Sequence, residues 1–145
     1  MSNQHHLHTV CYLSSFLKKN LIEPTKIYVK ELNIINKKKL INGCANITGG
    51  GLLNNVTRVI PEKLCLNIDL SKIKILSIFK WLKKNNIKDS EMLRTFNCGV
   101  GFCLITNKKN IKKIRKIFTR NFKPYQIGFI SKEKSAIRTS GKLKW

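Results

Sequence analysis

The sequence predicts an α+β or α/β layer rather than a helix bundle or a β-sandwich. Three observations carry that expectation. Short apolar runs bounded by turn residues recur at 40–47, 64–70, 99–106 and 125–130. Between them lie segments whose apolar residues repeat at helical spacing. The connections are short, so strands and helices alternate along one layer system. At 145 residues and 42% hydrophobic content, the chain suits one ordinary domain that buries roughly two-thirds of its unfolded surface.

Taken in order, residues 1–20 have weak periodicity and no clear caps, and read as an irregular or short helical lead-in. Pro24 punctuates the chain. Residues 26–36 fit either a helix face (Ile27, Val29, Leu32, Ile35) or, in their first half, an alternating strand. Residues 40–47 read as a buried strand closed by Gly49, Gly50 and Gly51, and 52–59 as a helix that Pro61 ends. Residues 64–70 alternate like a strand, and Ser71 is a plausible helix cap. Ile75, Ile78, Phe79 and Leu82 form an apolar stripe, with Lys80, Lys83 and Lys84 off it. Asp89 and Ser90 suit the cap of a short helix through Met92 and Leu93. After the strand at 99–106, residues 107–120 make the clearest helix. Ile111, Ile114, Ile117 and Phe118 form one face, and six cations, among them Arg120, form the other. A strand at 125–130 follows, and 136–139 is expected to pair at the sheet edge.

The formal net charge is +22. Lysine occurs 24 times and arginine 5; Lys, Ile and Asn together make 58 of the residues. All three have A/T-rich codons, and a surface built to grip phosphate usually favours the planar arginine fork. Genome composition therefore explains the charge better than a polyanion partner does. The basic helix at 107–120 leaves nucleic acid or a membrane surface as an alternative beside a solvated lysine-rich face. No apolar run approaches the roughly 18 residues of a membrane span. The first twenty residues lack the pattern of a secretory signal, so a cytoplasmic setting is expected. Five cysteines without a CxxC pair argue against a common zinc site and against a disulfide framework. His5, His6 and His8 read as an incidentally metal-philic tail.

Two glycine turns dominate the chemistry. Thr48, Gly49, Gly50 and Gly51 stand between an expected strand and an expected helix, where backbone amides could meet an anion. A tight turn with close strand–helix packing is the equal alternative. The second turn, Arg94-Thr95-Phe96-Asn97-Cys98-Gly99-Val100-Gly101, offers a cation, a hydroxyl and an amide at the mouth of a strand. Cys98 has no histidine near it in sequence and reads as a packed small residue. Of seven acidic residues, none forms a close pair. Asp69 is the best single acid–base candidate, although a helix-entry role suits it better.

Together these motifs resemble one family. Residues 23–30 (EPTKIYVK), 46–52 (NITGGGL), Asn55, 58–61 (RVIP) and 91–101 (EMLRTFNCGVG) look like phosphoribosylformylglycinamidine cyclo-ligase, also called aminoimidazole ribonucleotide synthetase. The resemblance runs from about Leu21 to about Ile130 and covers only the family's C-terminal half. It implies an α+β domain with a mixed sheet and helices packed on it, spanning 21–145, with residues 1–20 outside the resemblance. It also implies ATP-dependent closure of an imidazole ring in purine biosynthesis. ATP and Mg2+ would be held mainly by an N-terminal half that the resemblance does not reach. The implied partners are that half-protein, or a homo-oligomer, and a small nucleotide substrate. The implied substrate-binding residues are Thr48, Gly49, Gly50, Gly51, Arg94, Thr95, Asn97 and Gly99. Asn46 and Asn54 stand where the family usually has His and Glu, and neither can act as acid or base near neutral pH. The alternatives are a catalytically inactive remnant domain and a basic nucleic-acid-binding module.

Overall fold

The computed structural model describes residues 3–119, 122–133 and 136–145, with side chains described from residue 12 onward. The fold is α+β, as expected. Six helices run α1 (Asn3–Leu21), α2 (Val29–Lys37), α3 (Gly51–Thr57), α4 (Ser77–Lys83), α5 (Asp89–Thr95) and α6 (Ile111–Ile117). Five strands run β1 (Gly43–Asn46), β2 (Cys65–Asp69), β3 (Phe102–Ile105), β4 (Gly128–Ser131) and β5 (Ile137–Ser140).

The strands form two small sheets. β1 pairs antiparallel with β3, placing Ala45 opposite Cys103 and Asn46 opposite Phe102. Flanking bonds from Asn42 N–H to Ile105 O (2.7 Å) and from Ile47 N–H to Gly101 O (3.0 Å) lengthen this ribbon at both ends. The second sheet is mixed, in the order β4-β2-β5, with β4 antiparallel and β5 parallel to the central β2. β2 is central and buried on both faces at its start: Leu66 and Ile68 share one face, and Cys65 is buried on the other.

The main core gathers Ala45 and Ile47 from the first sheet, Leu66 and Ile68 from the second, and Leu52, Val56 and Leu93 from α3 and α5. A smaller cluster joins Ile35 of α2 to Ile114 and Phe118 at α6. That contact selects the helix for Val29–Lys37, whereas 26–28 lie in no helix or strand, and Ile27 and Val29 are exposed rather than on its buried face. Leu32 and Ile35 need one shared face to reach α6, and only a helix supplies it.

Several expectations are corrected. Residues 3–21 are one continuous helix rather than an irregular lead-in. The segment has no Pro or Gly to break it, and Lys18 and Lys19 in its last turn complement the carbonyl end. Ser71 caps nothing. Asp69 caps the short 3-10 turn Leu70–Lys72, accepting from the Ser71 N–H at 3.0 Å. Ile75 lies before α4, in extended chain. Asp89 sits inside the first turn of α5, whose N-cap position is Lys88 without a side-chain cap bond. The helix expected at 107–120 opens as a 3-10 turn, Lys108–Asn110, and its α portion ends at Ile117. Phe118 is extended yet still buried. Arg120 and the side chains of His5, His6, His8 and Cys11 lie outside the described residues. The edge pairing expected for 136–139 is present as β5.

Candidate functional site

β1 ends at Asn46 and delivers the chain into the first glycine turn. Gly50 takes the N-cap position of α3 with φ +95°, and Gly51 follows at φ +66°. These are left-handed conformations that favour glycine. The Gly51 N–H donates to Thr48 O at 3.1 Å, so this amide is committed to the turn itself. Asn55, one turn into α3, is buried and locks the turn from inside. Its Nδ2 donates to Gly51 O at 2.7 Å, Gly49 O at 3.2 Å and Thr48 O at 3.3 Å. A Cβ on Gly51 would collide with the carbonyl oxygen of Leu93, whereas one on Gly49 would meet open space. Gly51 is therefore a packing glycine, and Gly49 and Thr48 are the exposed part of the turn.

That collision marks where the two motifs meet. Gly51 seats directly on the backbone of Leu93 and Arg94, so the start of α3 lies against the end of α5. Gly51 and the Leu93–Arg94 backbone are thus neighbours, though more than forty residues separate them in sequence.

On the solvent side of α5, Glu91 joins the two polar residues of the second motif. It accepts from Arg94 at 2.8 Å and from Thr95 Oγ1 at 2.9 Å. The Thr95 hydroxyl bond, and then Arg94, hold the Glu91 carboxyl below its usual range. Glu91 stands in the quoted motif, but its bridging role was not read from the sequence. The spacing of three and four residues on a helix was the available signal.

The loop after α5 folds on itself. Asn97 Oδ1 accepts from the Gly99 N–H at 2.9 Å, and the Val100 N–H donates to Asn97 O at 2.8 Å. Cys98 is fully buried at φ +49°, and its Sγ lies 3.5 Å from Met92 O. Burial, with a contribution from the charge of Asp89, pushes its thiol up to about 11. Cys98 is a packing residue, as expected, and not a nucleophile. Gly99 stands at φ +100°, where a Cβ would fall 2.5 Å from Lys74 O.

Asn46 and Asn54 are both exposed. Asn54 stands beside Gly50, whose Cβ would approach its own within 3.5 Å. Asp69 is occupied by Ser71, whose hydroxyl donates to it at 2.6 Å; this bond first, and Lys72 later, lower its pKa. It performs the helix-entry role rather than acid–base work.

A concavity of about 940 Å³ lies between the two sheets, away from the first turn. It meets the second motif only at Gly99, Val100 and Gly101, and is otherwise lined by apolar and aromatic side chains with a few lysines. Tyr28 packs there against Phe102 and Phe122, and its hydroxyl fills the space a Gly101 side chain would need. Among the described residues, no group of three His, Cys, Asp or Glu side chains is arranged to hold a metal ion. No helix among them is long and apolar enough to cross a membrane.

Comparison with known proteins places these motifs. Residues 5–139 match the family model described as AIR synthase related protein, C-terminal domain. The match begins inside α1, upstream of the segment that carried the sequence resemblance. The chain is 42% identical over 120 residues to the phosphoribosylformylglycinamidine cyclo-ligase of Streptococcus pneumoniae serotype 4, strain TIGR4. The enzymes of that name from strains Hungary19A-6 and CGSP14 match to the same extent. In each case the alignment covers 82% of this chain but 35% of the relative, so the chain spans about a third of the length of these relatives. A family model that matches most of an α+β chain, with relatives 42% identical to it, leads to one conclusion: the chain belongs to the AIR synthase related C-terminal domain family.

Proposed function

We propose that this chain supplies the C-terminal part of a phosphoribosylformylglycinamidine cyclo-ligase, acting in the cytoplasm on a nucleotide substrate. Residues 21–145 form the working domain, and α1 leads into it. The single observation that carries this reading is the seating of Gly51 on the Leu93 and Arg94 backbone, which supports it by bringing together two motifs far apart in sequence.

There Arg94 binds anionic oxygen of the substrate, while Thr95, whose single hydroxyl proton is donated to the Glu91 carboxylate, holds that carboxylate beside it. The guanidinium is largely exposed and already oriented by Glu91. Thr48 and Gly49 line the neighbouring turn, where the absence of a side chain at Gly49 admits close approach. Gly50, Gly51 and Gly99 keep the two turns in shape. Asn97 spends its Oδ1 on the Gly99 amide, which leaves its Nδ2 as the donor a phosphate oxygen would meet.

ATP, when bound, activates the substrate's formyl amide oxygen as a leaving group for ring closure. Among the described residues no three His, Cys, Asp or Glu side chains are grouped to hold a metal ion. ATP and Mg2+ are assigned to the rest of a cyclo-ligase, the partner this chain requires. Asn46 and Asn54 carry no group that titrates near neutral pH, so proton transfer is also left to that partner or to water.

Mixing the purified chain with the N-terminal part of a cyclo-ligase, ATP, Mg2+ and substrate tests the reading. Ring-closed product should form in the mixture and not with either part alone. Product that appears only after Asn46→His and Asn54→Glu would favour the inactive-remnant reading instead.

A further inference from the structure

Three segments of the chain meet on one carboxylate oxygen. Lys83, in the last turn of α4, brings its Nζ to Asp89 Oδ1 at 2.7 Å and also donates to Ile87 O at 2.6 Å. The Trp145 Nε1–H donates to the same Oδ1 at 3.0 Å. The Lys83 ammonium stands 5.6 Å from the centre of the Trp145 ring. After β5 the chain turns at Gly141, φ +66°, and buries Leu143 in the main core, against which Trp145 also packs. Asp89 is the first residue of α5. The tie therefore fastens residues 141–145 and the end of α4 to the start of the helix that carries Arg94.

The other polar bonds of α5 are of a different kind. Glu91, Arg94 and Thr95 bond one another within the helix. That orients the guanidinium relative to α5 but does not set where α5 lies. The N-cap position, Lys88, makes no side-chain cap bond. Met92 and Leu93 are buried and hold one face of the helix. Apolar contacts have no direction and leave a short helix free to rock about them, whereas a hydrogen bond fixes an angle. A helix of seven residues is about 10 Å long and moves as one body, so a shift at Asp89 is carried to Arg94. A misplacement of about 1 Å in a group that holds substrate is enough to cost reaction rate.

We infer that Trp145 is a positioning residue for Arg94. Through Asp89 it fixes the start of α5, so that the helix presents the guanidinium to substrate in one orientation. Lys83 shares the role from α4. The inference rests on the cyclo-ligase reading and gives that reaction a contributor outside both glycine motifs.

The test uses the full chain in two variants. Trp145→Phe keeps an aromatic ring and removes the indole N–H. Lys83→Met keeps the aliphatic stem and removes the charge. Amide hydrogen exchange is read first. The Met92 and Phe96 amides, bonded to Lys88 O and Met92 O, should exchange at least about fivefold faster in both variants. The Leu66 amide of β2, bonded to Ala136 O, should stay within about twofold of its natural rate. The chain is then combined with the N-terminal part of a cyclo-ligase, ATP, Mg2+ and substrate. Trp145→Phe should raise KM for substrate at least about fivefold and leave kcat within about twofold. In an Arg94→Ala background it should raise KM no further. Equal acceleration at Leu66 would make the tie a general support of the fold and overturn the inference. So would an unchanged KM beside a loosened α5, a KM that rises without loosening, or an effect that adds to that of Arg94→Ala. Loosening confined to α5, with no product from the natural chain or its variants, would support the tie and count against the cyclo-ligase reading.

Discussion

At the first glycine turn the chain is held by a side chain from the helix that follows. Asn55 reaches back and donates to three carbonyls. At the second, the loop holds itself through Asn97 Oδ1 on the Gly99 amide, with Cys98 turned inward at positive φ. Each turn contains one glycine fixed by steric contact with a neighbouring backbone, Gly51 against Leu93 and Gly99 against Lys74. Only the first contains a glycine with open space around it, Gly49. A run of three identical residues thus contains both a packing position and an open position, which composition alone does not distinguish.

The sharpest way to break this comparison is Gly51→Ala. The new methyl collides with a backbone oxygen at a φ that side chains disfavour, and the loss should be about 4 kcal/mol or more. Urea denaturation reads it, and a loss under 1 kcal/mol would show that α3 and α5 part easily. Gly99→Ala meets a milder clash at 2.5 Å and should cost about 2–3 kcal/mol by the same assay. Asn55→Leu keeps the volume but removes the side-chain bonds to three turn carbonyls, of which Thr48 O keeps the Gly51 N–H; about 1–3 kcal/mol should be lost. An unchanged urea midpoint would mean that the first turn, like the second, holds itself.

A smaller effect is expected in acid. Asp89 takes a bond from Lys83 at 2.7 Å and another from Trp145 Nε1 at 3.0 Å. Lys83 first, and then Trp145, lower its pKa below the ordinary 3.8. A carboxyl depressed in the folded state stabilises the fold above its unfolded pKa, and that contribution disappears as pH falls through the folded value. Stability should therefore decline below about pH 4, with Trp145 fluorescence following it. Lys83→Met should flatten this limb. The carboxylate is about half exposed, so solvent screening keeps the effect small.

Much of this organisation was legible in the sequence, for identifiable reasons. The strand–turn–helix at 43–57 is bracketed by three glycines and Pro61, residues whose backbone limits are local. Cys98 could be assigned to packing because no histidine stood near it. What escaped depended on contacts across the fold. Residues 26–36 have two legitimate periodicities, and only burial of Ile35 against Ile114 selects the helix. Residues 3–21 lack a strong apolar stripe, so periodicity had little to report. Ser71 and Asp69 are both good caps two residues apart; the choice went to Asp69 because the chain turns directly after β2. The division of labour between Gly49 and Gly51 required the position of Leu93, which no local pattern supplies. The candidate site was legible as motifs, and its construction was not.

The most direct test of the account is product formation by the chain joined to the N-terminal part of a cyclo-ligase, with Gly49→Val measured beside the natural residue. The expected result is ring-closed product that falls at least about tenfold in the variant, while the thermal midpoint changes by no more than the roughly 0.5 kcal/mol equivalent of a neutral surface substitution. Equal activity in both proteins, or no product from a folded assembly even with Asn46→His and Asn54→Glu, would contradict it.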